Sequence, residues 1–176
     1  ISILLDGNAP ILYKTQSASD SVILELRNDT WVLSNMPSSK QKGPDRYGTF
    51  KDGFRNNMLF VYGTTGSAQE NEWSLNKAKY DAETWYYRGN GSVDIITDLE
   101  FIKNKYQDRG VVLFGNKNTN AAWNTLLNDC PIQVSRDKII VGEKVLEGND
   151  LGAYFIWPIS GSALASVAVV TGSGIK

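Results

Sequence analysis

Residues 57–70 are the segment that most constrains the fold of this 176-residue chain. A short apolar run at 58–62, rich in β-forming residues, stops at the turn sequence Gly-Thr-Thr-Gly. Ser67 and Glu70 follow with the spacing of a helix capping box, in which each side chain binds the backbone N–H group of the other. The segment therefore predicts a strand, a tight loop and a helix in succession.

A helix with one apolar face is predicted over residues 68–87. Apolar residues recur there at intervals of three and four, as they do along one side of a helix. They are Leu75, Ala78, Ala82, Trp85 and Tyr86. Gly89 is expected to cap the carboxyl end, because glycine readily adopts the left-handed conformation that this position requires.

Two further units of strand and helix follow. Residues 93–96 and 110–114 are predicted strands, and the second is apolar enough to be buried on both faces. Asp98 is expected to cap a helix over 99–106 between them. The other predicted elements are a helix carrying Ala122, Trp123, Leu126 and Leu127, a hairpin or edge excursion within 132–145, and strands at 154–157 and 166–170. Successive strand and helix units predict a parallel sheet.

The first 34 residues have a different pattern. Short apolar runs flank the turn sequences Asp6-Gly7-Asn8 and Asn28-Asp29, which predicts two hairpins. We therefore predict a small antiparallel β segment at 1–34, a Pro- and Gly-containing linker at 35–49 and an α/β domain at 50–176. The predicted fold class is α/β, with a three-layer, Rossmann- or flavodoxin-like arrangement around a parallel, mixed-edge sheet.

The composition excludes several kinds of chemistry. The sequence contains no His, so a Ser-His-Asp triad or a Cys-His pair cannot be completed within this chain. The single cysteine, Cys130, excludes an intrachain disulfide, and without His the usual zinc ligand sets are absent. We therefore predict no catalytic residue, no metal and no cofactor for this chain.

The charge and hydropathy of the sequence indicate which classes of binding partner to expect. Lys and Arg number 18 against 19 Asp and Glu, so the bulk charge indicates neither a nucleic-acid partner nor an anionic membrane surface. No stretch approaches the roughly 18 consecutive apolar residues of a membrane-spanning helix. The predicted partners therefore include neither nucleic acid nor a membrane, and the sequence indicates no oligomeric state.

Three of the predicted strands end in loops rich in Gly, Thr and Asn. The carboxyl ends of parallel strands share one edge of the sheet, where open α/β sheets bind ligands, and the amino ends of helices attract anions. We predict a small-ligand site there, for a phosphate or for sugar hydroxyls. Its candidate residues are Gly63, Thr64, Gly66, Ser67, Gly115, Asn116, Asn120, Thr171 and Gly172.

A second interpretation of these loops needs no ligand. Gly and Asn residues form tight turns, while Ser67 and Asn118 cap helices. Neither G-x-x-x-x-G-K-[ST] nor G-x-G-x-x-G is present. Outside this edge, Arg88 is predicted to belong to a turn between a helix and a strand. The alternative interpretation gives it a functional role. Cys130 is expected to be a packed thiol, because no His is available to activate it.

Five segments of the chain resemble one class of protein. They are residues 48–54 (GTFKDGF), 60–64 (FVYGT), 85–91 (WYYRGNG), 113–116 (LFGN) together with 119–123 (TNAAW), and 169–174 (VVTGSG). Together they resemble the carboxyl-terminal region of large exported bacterial proteins of the esterase-like or prolyl-oligopeptidase-like α/β-hydrolase type, over about residues 1–174. In those proteins the nucleophile elbow G-x-S-x-G lies in a separate upstream domain, and this chain lacks the motif.

The resemblance implies a non-catalytic accessory or terminal domain of a larger hydrolase. Its expected location is periplasmic or extracellular, and its expected partner is the catalytic domain of its own parent chain. A start at Ile1 and an end at Lys176 are those expected of a product excised from something longer. Two alternatives stay open: the small-ligand module described above, and a His-free hydrolase that uses Ser67 or Thr64.

Overall fold

The structure is a computed structural model that describes residues 1–15, 17, 21–38, 41–43, 46–104, 106 and 108–175. Parts of the predicted segment 1–34, of the linker 35–49 and of the helix 99–106, as well as Lys176, lie outside the described residues. Contacts divide the described chain into two compact units, of which the first is Ile1–Ser38 and the second is the remainder.

The first unit contains both predicted hairpins. Antiparallel pairing joins β1 (Ser2–Ile3) to β2 (Ile11–Leu12) and β3 (Ile23–Arg27) to β4 (Thr30–Ser34). The two residues of the second turn have positive φ angles, 48° at Asn28 and 60° at Asp29. Two consecutive residues of this kind form the tight turn whose twist matches a hairpin, which is why the short Asn-Asp sequence is sufficient.

Within its described residues the second unit contains a five-stranded sheet, a separate three-stranded sheet, three α-helices and a 3-10 helix. In chain order its elements are the 3-10 helix Phe50–Phe54, β5 (Leu59–Tyr62), α1 (Ala68–Gly89), β6 (Asp94–Thr97), α2 (Asp98–Asn104), β7 (Val111–Phe114), α3 (Trp123–Leu127), β8 (Ile132–Ser135), β9 (Lys138–Val141), β10 (Lys144–Glu147), β11 (Gly152–Pro158) and β12 (Ser166–Gly172). None of the helices in the described part of the chain is both long and apolar enough to cross a membrane.

The larger sheet has the strand order β11-β12-β7-β5-β6. Strands β12, β7, β5 and β6 are parallel, and β11 joins the edge in the antiparallel direction. This confirms an α/β fold with a mainly parallel sheet and a mixed edge. Strands β8, β9 and β10 form a separate antiparallel sheet, so the hairpin predicted within 132–145 gains a third strand.

Alternating side chains of the central strands enter two apolar clusters. Leu59 and Val61 pack with Trp123 of α3 in one cluster, while Phe60 packs with Ala78 of α1 in the other. All five are fully buried. Because burial of a large apolar side chain contributes about 1.5–3 kcal/mol, the two clusters are the main stabilising element of this unit.

Helix α1 begins at Ala68 as predicted, and its carboxyl-terminal cap comes one residue later than predicted. Ser67 and Glu70 form the capping box, with 2.6 Å from the Ser67 N–H group to Glu70 Oε2. Gly89 is still helical, and Asn90 is the cap, with φ 48°. The prediction for Tyr86 is wrong, since this residue is 68% exposed. It follows Trp85 directly, and one residue rotates a side chain by about 100° around the helix, away from the buried face.

The amino ends of the two shorter helices differ from their predictions. Thr97, not Asp98, caps α2, because its hydroxyl accepts a 3.0 Å hydrogen bond from the Glu100 N–H group. Helix α2 ends at Asn104 instead of 106. Asn118 does not cap α3: its amide oxygen accepts from the Arg136 N–H group at 3.0 Å. Asp98 and Asn118 do not act as the predicted caps because their side chains accept hydrogen bonds from distant parts of the chain.

Arg46 lies in the segment predicted as a linker, and it is buried. Its guanidinium donates hydrogen bonds to the carbonyl oxygens of Ser162 and Ala165, at 3.0 and 2.7 Å, and to the hydroxyl of Ser166 at 3.2 Å. Burial lowers the pKa of the guanidinium from its ordinary value. This part of the segment is therefore anchored to the start of β12.

Candidate functional site

The loops that follow β5 and β7 meet at the carboxyl edge of the large sheet. The Thr65 N–H group donates to the carbonyl oxygen of Thr119 at 3.2 Å. A Cβ atom placed on Gly63 would overlap the same oxygen, so only glycine fits at this position. The winding of the sheet reverses between β5 and β7, which is where such sheets commonly bind a ligand. Here the two loops contact each other at that point.

Asp98 joins three segments at this edge. Its fully buried carboxylate accepts from the Thr64 N–H and hydroxyl groups at 3.2 and 2.5 Å, from Ala121 N–H at 2.7 Å and from Leu99 N–H at 2.9 Å. A carboxylate has about four lone-pair positions, so these donors satisfy it. Sequence analysis assigned Asp98 only a local role, because its partners are far along the chain.

Asn120 is also committed to internal contacts. Its amide nitrogen donates to the carbonyl oxygens of Phe114 at 2.9 Å and Val61 at 3.3 Å, and its amide oxygen accepts from Ala122 N–H at 3.0 Å. The side chain is buried among these partners. Asn120 therefore links the ends of β5 and β7 to the start of α3, and its predicted ligand-binding group faces the protein.

Ser74 of α1 completes the contact between helix and sheet. Its hydroxyl accepts from Gly63 N–H at 2.8 Å and donates to the carbonyl oxygen of Phe114 at 3.1 Å. Sequence analysis missed this residue. It could have been recognised as a polar residue on the helix face that otherwise carries Leu75, Ala78 and Ala82. A hydroxyl buried on such a face needs hydrogen-bond partners.

The loop after β7 is fastened to β12 as well. The Asn116 side chain donates to the Gly172 carbonyl oxygen and accepts from Asn118 N–H, both at 2.9 Å. Thr119 Oγ1 accepts from Asn116 N–H at 2.9 Å. Gly115 has a φ of 107°, which disfavours any other residue at the point where the chain leaves β7. The structure thus brings the predicted residues of all three loops together, through contacts with one another.

The amino end of α1 already holds a carboxylate. Arg136 binds Glu70 through two hydrogen bonds of 2.8 Å, and this guanidinium lowers the pKa of Glu70 to about 2. Glu70 also accepts from Ser67 N–H, as described above. Because the amino end of a helix favours a negative charge, Glu70 supplies from within the chain the group that an anionic ligand would otherwise provide.

Thr171 is the one candidate residue with an unused polar group. Its hydroxyl is buried and has no hydrogen-bond partner within the described part of the chain. The neighbouring Gly172 uses its carbonyl oxygen for Asn116. A buried hydroxyl without a partner lowers the free energy of unfolding by about 1–3 kcal/mol. The packing around β12 offsets this loss.

An open depression of about 560 Å³ lies beside the end of β12. The Asp137 N–H group ties it to this strand through a 2.9 Å hydrogen bond to the carbonyl oxygen of Ser173. The lining residues are Arg136, Asp137, Lys138, Glu147, Gly148 and Asn149. Two of these residues are basic and two are acidic, and the guanidinium of Arg136 is already paired with Glu70. None of the nine candidate residues lines it: three of its residues lie in the segment 132–145, predicted as a hairpin or edge excursion, and the other three lie just beyond that segment.

The two hydroxyls that the His-free alternative would use, those of Ser67 and Thr64, are hydrogen-bonded within the chain. Ser67 Oγ accepts from Glu70 N–H, and the Thr64 hydroxyl donates to Asp98. Cys130 is buried, and burial raises the pKa of its thiol. Among the described residues no group of three or more Cys, Asp or Glu side chains is arranged to hold a metal ion.

Comparisons of the chain with family models, with curated proteins and with solved structures gave no match.

Proposed function

We propose that this chain is a non-catalytic accessory domain of a larger exported bacterial hydrolase, as its resemblance to the carboxyl-terminal regions of such proteins implies. One observation supports the non-catalytic part of the proposal: apart from the Thr171 hydroxyl, the polar side chains described at the carboxyl edge form contacts within and between the loops. Asp98 accepts four hydrogen bonds there, and Asn120 makes three. With no His in the sequence, neither the Thr64 nor the Ser67 hydroxyl has an imidazole base, and the Asp98 carboxylate beside Thr64 is already occupied by other donors.

The first experiment measures hydrolysis of p-nitrophenyl acetate, p-nitrophenyl butyrate and a prolyl p-nitroanilide by the purified chain. We expect rates equal to those of buffer. Two matched pairs sharpen the assay. Ser67→Asp keeps a capping oxygen without the hydroxyl, to be compared with Ser67→Thr. Thr64→Val removes the hydroxyl that Thr64→Ser retains. Turnover that survives repurification and is lost only in Ser67→Asp or Thr64→Val would establish a His-free hydrolase instead.

The second experiment tests the accessory role. The complete open reading frame is expected to encode an upstream domain with G-x-S-x-G and its own His and Asp residues. That domain, produced separately, is expected to bind this chain in a calorimetric titration. A reading frame without such a domain would overturn the accessory assignment.

A second candidate function is the binding of a small sugar at the carboxyl edge. The open depression beside β12 favours it, since Lys138 supplies hydrogen-bond donors there while Asp137 and Glu147 supply acceptors. This balance suits sugar hydroxyls better than phosphate. Thermal unfolding with glucose, xylose, cellobiose or inorganic phosphate tests it: a ligand at 100 times its Kd adds about 2.7 kcal/mol. Loss of a sugar-induced shift in Lys138→Ala is expected, and the absence of any shift would exclude this function.

For the fold itself we propose a reduced three-layer sandwich of the flavodoxin type. The strand order β6-β5-β7-β12 supports it, because the first strand of the α/β series lies inside the sheet as it does in that fold. The two apolar clusters on alternate sides of β5 are also consistent with it. A crystal structure in which either face of the sheet lacks a helical layer would contradict this proposal.

A further inference from the structure

A groove crosses the face of the large sheet that packs against α1. It has a volume of about 440 Å³, within the range of small-molecule sites. Its lining comes from α1, the 3-10 helix, β7, β11 and β12. We call it the aromatic groove, after four of the residues that line it: Phe50, Phe54, Trp85 and Tyr154.

The four rings of the aromatic groove form a continuous row. Ring centroids are 6.1 Å apart between Tyr154 and Phe50, 5.9 Å between Phe50 and Phe54, and 5.4 Å between Phe54 and Trp85. Tyr154 is 67% exposed, whereas the other three rings are half-buried. Such a row offers edges and faces to a further flat ring, which aromatic groups bind in offset or edge-on geometry.

Two glycines make room for the indole at one end of this row. A Cβ atom on Gly91 would lie 2.5 Å from Trp85 Nε1, and one on Gly89 would lie 3.1 Å from Trp85 Cε3. The packing of Trp85 therefore explains the two glycines in the sequence WYYRGNG at 85–91. This sequence places the indole of Trp85 and the guanidinium of Arg88 one helical turn apart on the same side of α1.

The charges of the aromatic groove are unequal. Lys77 Nζ pairs with Asp81 Oδ1 at 2.5 Å, so these two charges cancel. Arg88 also lines the groove and makes no ion pair within the residues that the structure describes. The groove thus has a net positive charge, carried by Arg88. The helix dipole explains a positive charge in the last turn of α1, but Lys would serve that purpose equally well. A guanidinium adds a planar pair of donors that matches a carboxylate.

The lining has few neutral polar groups. Besides the charged residues, the floor includes Val112 and Val170, and Thr84 is the neutral hydroxyl on the helix side. A sugar ring would leave several hydroxyls without partners in such a place, at a free-energy cost for each. A flat apolar ring has no such groups.

We propose that the aromatic groove binds an aryl carboxylate, with its ring along the row of aromatic side chains and its carboxylate on Arg88. This site is distinct from the carboxyl edge and does not depend on the accessory role proposed above. The occupant is a small molecule, because the groove is of small-molecule size and its unbalanced charge is a single cation.

The probe is 2-naphthoate, titrated into the full chain by calorimetry and by ¹H–¹⁵N NMR, which also reports the Trp85 indole N–H group. Its neutral analogue 2-naphthamide and the sugar acid glucuronate serve as comparison ligands. Saturable binding of 2-naphthoate is expected, with at least tenfold weaker binding of 2-naphthamide and no binding of glucuronate. No saturation up to millimolar 2-naphthoate, equal affinity for 2-naphthamide, or preference for glucuronate would each overturn the proposal.

Matched variants locate the ligand. Arg88→Gln is expected to weaken 2-naphthoate binding at least tenfold, and Arg88→Lys to weaken it less, while Lys79→Gln on the same helix leaves it unchanged. Tyr154→Ala is expected to weaken binding, whereas removal of the exposed ring in Tyr87→Ala has no effect. Circular dichroism confirms folding of each variant. Wild-type affinity in folded Arg88→Gln would overturn the assignment.

Discussion

The Asp98 carboxylate accepts a 2.7 Å hydrogen bond from the Ala121 N–H group, 23 residues further along the chain. The same carboxylate binds Thr64, so the loops after β5 and β7 and the start of α2 are held by one buried side chain. Each of these segments ends or begins a secondary-structure element. Asp98 therefore sets the relative positions of the elements at the carboxyl edge.

Asp98→Asn is expected to destabilise the second unit by about 3 kcal/mol. The amide that replaces one oxygen would face N–H or O–H donors and leave them buried without an acceptor. Urea unfolding followed by tryptophan fluorescence measures the change. Asp150→Asn is the control, because Asp150 is exposed, and it should stay within about 0.5 kcal/mol of the wild type. Equal stability of the two variants would show that Asp98 does not have this role.

Gly63→Ala is expected to lower the free energy of unfolding by about 3 kcal/mol. The added methyl group would overlap the Thr119 carbonyl oxygen and force the two loops apart. The comparison is Gly152→Ala, where a Cβ atom has no heavy atom within 4 Å. Thermal unfolding of both variants gives the difference. A Gly63→Ala protein as stable as Gly152→Ala would mean that the loops do not pack this closely in solution.

The contribution of the Glu70–Arg136 pair is expected to depend on pH. The folded-state pKa of Glu70, about 2, lies below its ordinary value of 4.5. The folded protein thus binds fewer protons than the unfolded chain in this range, and the stabilisation is present above pH 4.5 and lost as the pH falls toward 2. The Arg136 side chain is 49% exposed, which limits the effect to about 1–2 kcal/mol.

Unfolding free energies of the wild type and of Glu70→Gln, measured from pH 7 down to pH 3, test this dependence. The difference between the two proteins should shrink as the pH falls below 4.5. A difference that is constant over this range would show that the ion pair does not form in solution. Repeating the series in 1 M salt should reduce the difference at pH 7, because the pair is partly exposed.

Cys130 is expected to react slowly in the folded protein. Burial raises the pKa of its thiol and excludes the reagent, so the thiolate forms only on local or global opening. Modification by 5,5′-dithiobis(2-nitrobenzoate) at pH 8 should be about a hundredfold slower than in urea-unfolded chain. Equal rates in native and unfolded protein would contradict the buried position.

Much of the fold was predictable because its signals are local. The strand at Leu59–Tyr62, the capping box of Ser67 and Glu70 and the buried strand Val111–Phe114 each depend on residues close together in sequence. The errors have two causes, a side chain with a distant partner and a residue placed on the wrong side of a helix. Asn118 binds Arg136 instead of capping α3, and Tyr86 lies outside the face that the sheet buries.

The candidate site shows the same division. Its loops were predictable from Gly and Asn residues after apolar runs, and the structure does bring these loops together. Their contacts with one another were not predictable, because sequence spacing does not say whether Thr119 approaches Gly63 or leaves a crevice beside it. Ser74 and Asp98 were missed as connecting residues for the same reason, since each binds groups at least 11 residues away.

The sequence by itself determined which segments become strands and helices, where most of them begin, and that a chain without His lacks the usual nucleophile activation. Those properties depend on hydrophobic periodicity, caps and composition, which act over a few residues. Only the tertiary structure decided that the carboxyl-edge loops bind each other, and that Trp85, Arg88 and Tyr154 line one groove. Such contacts depend on strand order and packing distance, which are set by the whole chain when its apolar surfaces are buried together.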